Sequence, residues 1–127
     1  MTKKILMIDD SPVAIKVLKK CLPSDMEFEC YSAGDGAEGV AKYISLKPDF
    51  TFLDLTMPVM GGIQTLESIL AINKDAVVIM VTADTQKKVF EKVISIGAFM
   101  LIAKPPTKEI VSAVLSKAML ELKNRGS

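Results

Sequence analysis

The chain has 127 residues and sets 16 Lys and Arg against 15 Asp and Glu, a formal net charge of +1. Half of it is apolar (50%) and 24% is charged, the balance of a globular domain with one sizeable core. Near-neutrality excludes the electrostatic footprint of a general nucleic-acid binder and the basic stripe of a membrane-surface helix. With no His in the chain, it can hold no Ser-His-Asp triad, His metal site or phosphohistidine carrier of its own.

Short apolar runs alternate with helical patterns from end to end. Ile5–Ile8 is an apolar run stopped by Asp9-Asp10, as expected of a strand buried on both faces. Ser11 caps the next helix, Pro12 suits its first turn, and Pro23 ends it. Its stripe is Ala14, Val17, Leu18, Cys21 and Leu22. Met26–Cys30 alternates apolar and charged residues, predicting an edge strand with one wet face. Gly34–Gly36 turns the chain into a second helix through Ala37, Val40, Ala41 and Ile44. Phe50–Leu53 predicts a third strand, ending at Asp54. A loop of Met, Pro and Gly then leads to a helix through Ile63, Leu66, Ile69 and Leu70. Ala76–Val81 predicts a fourth strand ending at Thr82, and Asp84 or Thr85 caps a helix that stops at Gly97. Phe99–Ala103 predicts the last strand, ending at Lys104, and a final helix runs through Ile110, Val114 and Leu122.

Five strand-plus-helix units of about 25 residues fill residues 1–127 as one domain. The pattern predicts an α/β fold, a three-layer α/β/α sandwich about a parallel sheet. Cys21 and Cys30 are too few for a disulfide scaffold and read as buried hydrophobes in a reducing compartment. No apolar run approaches a membrane span, and the start lacks a signal-peptide pattern. The expected location is the cytoplasm. The terminal Gly126-Ser127 has the look of an appended remnant.

Chemistry collects where strands end: Asp9, Asp10, Asp54, Thr82 and Lys104 each follow or close one. In open α/β sheets that edge binds ligands, at the point where strand order reverses. Three carboxylates converging there repel by about 1–4 kcal/mol per close pair, so they call for a cation. The ligand atoms on offer are hard oxygens, which favours Mg2+. A lysine and a hydroxyl beside a metal suit a multiply anionic phosphoryl group, with Thr82 donating to one oxygen and Lys104 pairing another. Asp54 is then the expected nucleophile, forming an aspartyl phosphate.

The stretches Ile8-Asp9-Asp10-Ser11, Leu53-Asp54 through Met57-Pro58 to Gly61-Gly62, Val81-Thr82-Ala83, and Gly97-Ala98 followed by Lys104-Pro105 resemble the CheY-like receiver domain of two-component response regulators. The resemblance spans about residues 3–123. It implies a flavodoxin-like, five-stranded sheet of order 2-1-3-4-5, with Asp54 as phosphoacceptor. It further implies direct Mg2+ binding by Asp10 with help from Asp9, a metal ligand from the Thr56 backbone carbonyl, and a cis Lys104-Pro105 bond. Thr56 and Asp84 would flank the attacking water and influence phosphoryl lifetime. The implied partners are a histidine kinase or phosphotransfer protein as donor, and a protein output partner or fused output domain that meets the fourth helix, fifth strand and fifth helix. Neither nucleic acid nor membrane binding is implied. Three positions depart from the family. Leu101 stands where an aromatic ring usually does, with Phe99 on the same strand face as a substitute for its bulk. Pro106 replaces the usual Phe, and Gly61-Gly62 is doubled.

Taken singly, Asp9 and Asp10 read as helix N-terminal acids, Asp54 as a turn former, Lys104 as a solvated surface lysine, and the eight Met residues as core filler. Their joint placement at strand ends favours the site. Among rival functions, a dehalogenase-type phosphatase needs a second Asp after the nucleophile, where this chain has Thr56, and a cap domain. A flavin carrier needs a first loop that welcomes phosphate, whereas Asp9-Asp10 repels one. An unphosphorylated interaction module has no use for the full residue set.

Overall fold

Residues 2–57 and 60–125 are described by the computed structural model; Met1, Pro58, Val59, Gly126 and Ser127 lie outside the described residues. The Met57-Pro58 step of the loop motif and the terminal Gly126-Ser127 therefore have no structural account here. Strands and helices alternate strictly: β1 (Lys3–Ile8), α1 (Pro12–Lys20), β2 (Phe28–Ala33), α2 (Gly36–Leu46), β3 (Phe50–Asp54), α3 (Gly62–Ile72), β4 (Val78–Thr82), α4 (Lys87–Ile96), β5 (Met100–Ala103) and α5 (Lys108–Asn124). All four strand pairings are parallel, and the sheet order is β2-β1-β3-β4-β5. The fold is the expected α/β/α sandwich.

Period-two alternation splits the core between the two faces. Ile5, Met7, Phe52, Ile79 and Val81 face α1 and α5, meeting Leu18, Val111 and Leu115. Leu6, Ile8, Leu53, Val78 and Met80 face α2, α3 and α4, meeting Tyr43, Leu66, Ile69 and Val93. β3 and β4 are buried along their whole length, which explains their continuous apolar sequence. No helix among the described residues is long and apolar enough to cross a membrane.

The element bounds differ from the sequence reading at β2 and β4 for a tertiary reason and at the α4 cap for a local one; β1 also starts earlier, at Lys3, and β5 later, at Met100. The second strand is Phe28–Ala33 rather than Met26–Cys30, because its partner β1 begins opposite Phe28 and runs to Ile8 opposite Ala33. β4 starts at Val78, two residues late. The Ala76 carbonyl instead accepts a hydrogen bond from Arg125 at 2.9 Å, beside the Asp75 carbonyl at 3.0 Å, latching the end of α5 onto this strand's approach. α4 is capped by neither Asp84 nor Thr85. Its N-cap is Gln86, whose amide donates to Asp84 Oδ1 at 3.1 Å in a turn just outside the helix.

Between β1 and β3 the order of the sheet reverses direction, β2 lying on one side of β1 and β3 on the other. Such a reversal leaves a crevice at the carboxyl ends of the two strands. Asp9 follows one of them and Asp54 ends the other.

Candidate functional site

The crevice collects its residues from four strand ends. Asp9 is 8% exposed and Asp54 5% exposed, while Asp10 is open to solvent. Each of the three offers a carboxylate oxygen, and these oxygens lie within 4.8 Å of one another. Asp9 is fixed from its own turn, its Oδ1 accepting from the Ser11 amide at 2.9 Å. The same Ser11 caps α1, its hydroxyl accepting from the Ala14 amide.

Lys104 enters from the far side of the sheet. Its backbone amide donates to the Thr82 carbonyl at 2.8 Å, extending the β4–β5 ladder by one bond beyond the strands. Its ammonium then reaches Asp9 Oδ2 at 2.9 Å and Asp54 Oδ1 at 3.1 Å. The Lys104-Pro105 bond is cis. Thr82 is 2% exposed, and its hydroxyl oxygen accepts from the Asp84 amide at 3.0 Å. That bond uses a lone pair and leaves the hydroxyl proton free to be donated elsewhere.

Burial pushes the Asp54 carboxyl above its usual range; the Lys104 bond opposes that rise and the charges of Asp9 and Asp10 add to it. Burial alone would lower Lys104, but its hydrogen bonds and charge pairing with Asp9 and Asp54 outweigh it and hold the ammonium above its ordinary value. Both shifts follow from one fact, a surplus of negative charge in a poorly solvated crevice. Three carboxylates and one ammonium leave two negative charges, and the donor atoms are all oxygens. The cluster fits a hard divalent cation.

The expected residues thus meet, with two refinements. Thr56 sits exposed on the loop two residues past Asp54. Phe99 does not share a face with Leu101: it precedes β5, just after the left-handed turn at Gly97, and packs on the α1–α5 side, whereas Leu101 packs on the α2–α4 side. Its ring therefore cannot replace an aromatic at Leu101. One positioning residue escaped the sequence reading. A Cβ on Gly62 would lie 2.3 Å from the Asp54 carbonyl oxygen and 2.6 Å from Leu55 Cα, so only glycine lets α3 start against the backbone of the loop after Asp54. The doubled glycine before a helical stripe was the available signal.

Residues 5–115 match the family model described as the response regulator receiver domain. The chain belongs to the response regulator receiver family. Receiver domains are phosphorylation-controlled signalling modules of two-component systems, for which aspartate phosphorylation and Mg2+ are general features. Chemotaxis protein CheY of Listeria monocytogenes is 37% identical over 116 residues, covering 91% of this chain and 97% of that protein. Protein-glutamate methylesterase/protein-glutamine glutaminase 3 of Geobacter sulfurreducens is 36% identical over 114 residues, 89% of this chain, which spans only 30% of that longer protein. Among solved structures, the CheX-CheY-BeF3-Mg+2 complex from Borrelia burgdorferi matches with a TM-score of 0.86 at 31% identity, over 92% of this chain and 89% of that one.

Proposed function

We propose that Asp54 is the phosphoacceptor of a single receiver domain spanning residues 1–127, and that it switches protein contacts in a cytoplasmic phosphorelay rather than turning over a substrate. The observation that supports this most is the placement of the Lys104 ammonium between the Asp9 and Asp54 carboxylates. A cation so placed offsets ground-state repulsion and stands ready for a new anion at Asp54.

In the reaction, an Asp54 carboxylate oxygen attacks the phosphorus of a donor. The new O–P bond gives an acyl phosphate, and the donor leaves with the electrons of the bond that breaks. With no His of its own, the chain takes the group from a histidine kinase, a phosphotransfer protein or a small phosphodonor. Lys104 exchanges its bond to Asp54 Oδ1 for one phosphoryl oxygen, and the Thr82 hydroxyl donates a hydrogen bond to another. Asp9, Asp10, an oxygen of Asp54 and the Thr56 carbonyl would hold Mg2+, which when bound neutralises charge on the phosphoryl oxygens. A protein output partner or a fused output domain would read the change on α4, β5 and α5. There Phe90 (41% exposed) and Ile110 (48%) present apolar surface.

A beryllofluoride complex with Mg2+ mimics the phosphoryl group. Added to the protein, it shifts the amide resonances of Asp54, Thr82 and Lys104, and it leaves an Asp54→Asn variant unchanged. No shift in the wild type, or an equal shift in the variant, overturns the assignment.

A further inference from the structure

The first turn of α2 stands between the two segments that carry the buried acids. Gly36 and Gly39 lie on one buried side of that turn. A Cβ on Gly39 would lie 2.6 Å from Ile8 Cδ1, and Ile8 is the last residue of β1 before Asp9. A Cβ on Gly36 would lie 2.3 Å from Thr65 Oγ1 of α3 and 3.0 Å from the carbonyl oxygen of Met60, in the loop between β3 and α3. Glycine lowers helix propensity relative to alanine, so two glycines on one buried helix face need a compensating reason. The close approach on both sides supplies it.

Each contact leads on to the crevice. Beyond Ile8, the Asp9 amide donates to the Ala33 carbonyl at 3.0 Å, tying Asp9 to the segment that enters α2. Beyond Gly36, the Thr65 hydroxyl donates to the Gly61 carbonyl at 2.9 Å, and Gly62 rests against the Asp54 carbonyl oxygen. The helix is also held from backing away. The Asp35 carboxylate accepts from the Glu38 amide at 2.8 Å and the Glu38 carboxylate from the Gly34 amide at 2.7 Å, a reciprocal cap. Further along, the Lys42 ammonium donates to the Ser32 carbonyl, and the Asn73 side-chain amide, just past α3, donates to the Tyr43 hydroxyl at 3.2 Å.

Mg2+ demands near-ideal octahedral geometry from its oxygens, so its affinity depends on how far apart the acids are held. We propose that the first turn of α2 is a spacer that fixes the separation of Asp9 and Asp54, which makes Gly36 and Gly39 positioning residues for Mg2+ and for phosphoryl transfer. The inference rests on the reading of these acids as a Mg2+ site. A side chain at Gly39 pushes on the segment of Asp9, and one at Gly36 pushes on the segment of Asp54. The core is too densely packed to absorb either push. Neither glycine has a group that reaches the ion; each acts through Ile8, or through Thr65 and the Met60 loop.

Mg2+ titration followed by amide NMR of the full chain tests this. Gly36→Ala and Gly39→Ala each weaken Mg2+ binding about tenfold, the usual scale for disturbing groups that orient metal ligands. Each also shifts the metal-free amide resonances of Asp9 and Leu55. Adding Ile8→Val to Gly39→Ala removes the methyl that the new Cβ meets and restores the wild-type affinity. Thr65→Val keeps the size of the buried side chain and loses only its bond to Gly61; it weakens Mg2+ by the same route even where an alanine variant does not fold. Val114→Ala, a buried change on α5 across the sheet, lowers stability and leaves Mg2+ affinity unchanged, which separates spacing from stability. Wild-type affinity in the folded glycine variants and in Thr65→Val overturns the spacer. So does equal weakening in Val114→Ala, or failure of Ile8→Val to restore binding. A wild type that binds no Mg2+ overturns the reading of the acids as a metal site, and the spacer's role with it.

Discussion

Gly62 and Asp54 are separated by so little that a single methyl group would collide with the backbone: a Cβ at Gly62 would stand 2.3 Å from the Asp54 carbonyl oxygen. Gly61, one residue earlier, has nothing among the described residues within 4 Å of a Cβ at that position, and its φ of −68° suits any residue. The doubled glycine is thus two different residues. Gly62→Ala destabilises the fold by about 1–3 kcal/mol, the usual scale of overpacking, and slows phosphorylation by displacing Asp54. Gly61→Ala leaves phosphorylation intact and stability unchanged or raised by up to about 1 kcal/mol. Urea denaturation of the two variants, side by side, checks this. Equal loss in both contradicts it.

Burial makes the charged form of Asp54 costly to the fold. Its folded carboxyl lies above the usual range because of burial and the neighbouring carboxylates. The stability linked to its protonated form is therefore complete below the unfolded value of about 3.9. It disappears as pH rises through the folded value. At neutral pH the wild type has lost that contribution, whereas Asp54→Asn stays uncharged throughout. Without divalent metal the variant melts above the wild type at pH 7, and the gap closes towards pH 4. Calorimetry across that range checks the sign; a variant melting lower at pH 7 contradicts it.

Much of this was legible in the sequence, since four of the five strands end on or just before a residue of the crevice. The run Ile5–Ile8 stops at Asp9 for the same reason that Phe50–Leu53 stops at Asp54: the apolar stretch is the core-facing length of the sheet, and the buried acid after it lines the crevice at the sheet's end. What could not be read was set by partners distant in sequence. The start of β2 depends on Lys3, and the start of β4 on Arg125 reaching back to Ala76. Phe99 and Leu101 looked like neighbours on one face by their spacing, but alternation holds only inside a strand, and β5 begins between them. The Gly62 contact is a backbone proximity whose one trace in the sequence is the doubled glycine before α3.

Divalent cation binding couples to stability through the same charge surplus. A ligand that binds only the folded state stabilises it by about 2.7 kcal/mol at a hundredfold excess over its dissociation constant. Mg2+ therefore raises the melting temperature of the wild type and raises that of Asp10→Asn much less. Asp10 is exposed, so its loss leaves the metal-free protein close to wild-type stability. An equal Mg2+ response in wild type and variant contradicts a metal site built on Asp10.

Asp84 lies two residues past Thr82 and is held by the Gln86 amide, while its own amide is tied to the Thr82 hydroxyl. Its carboxylate is exposed, and under the proposed reading it orients water near a phosphorylated Asp54. Asp84→Ala lengthens the life of the phosphorylated form several-fold with little effect on stability. The decay of phosphorylated protein after removal of the donor measures this, and an unchanged decay contradicts it.

Intact-mass spectrometry after incubation with acetyl phosphate and Mg2+ tests the centre of the account most directly. One PO₃ unit per chain is expected. The addition depends on Mg2+, is lost on treatment with hydroxylamine, is absent in Asp54→Asn and is slowed at least tenfold in Lys104→Met. A chain that gains no mass, or an Asp54→Asn chain that gains the same mass at the same rate, contradicts it.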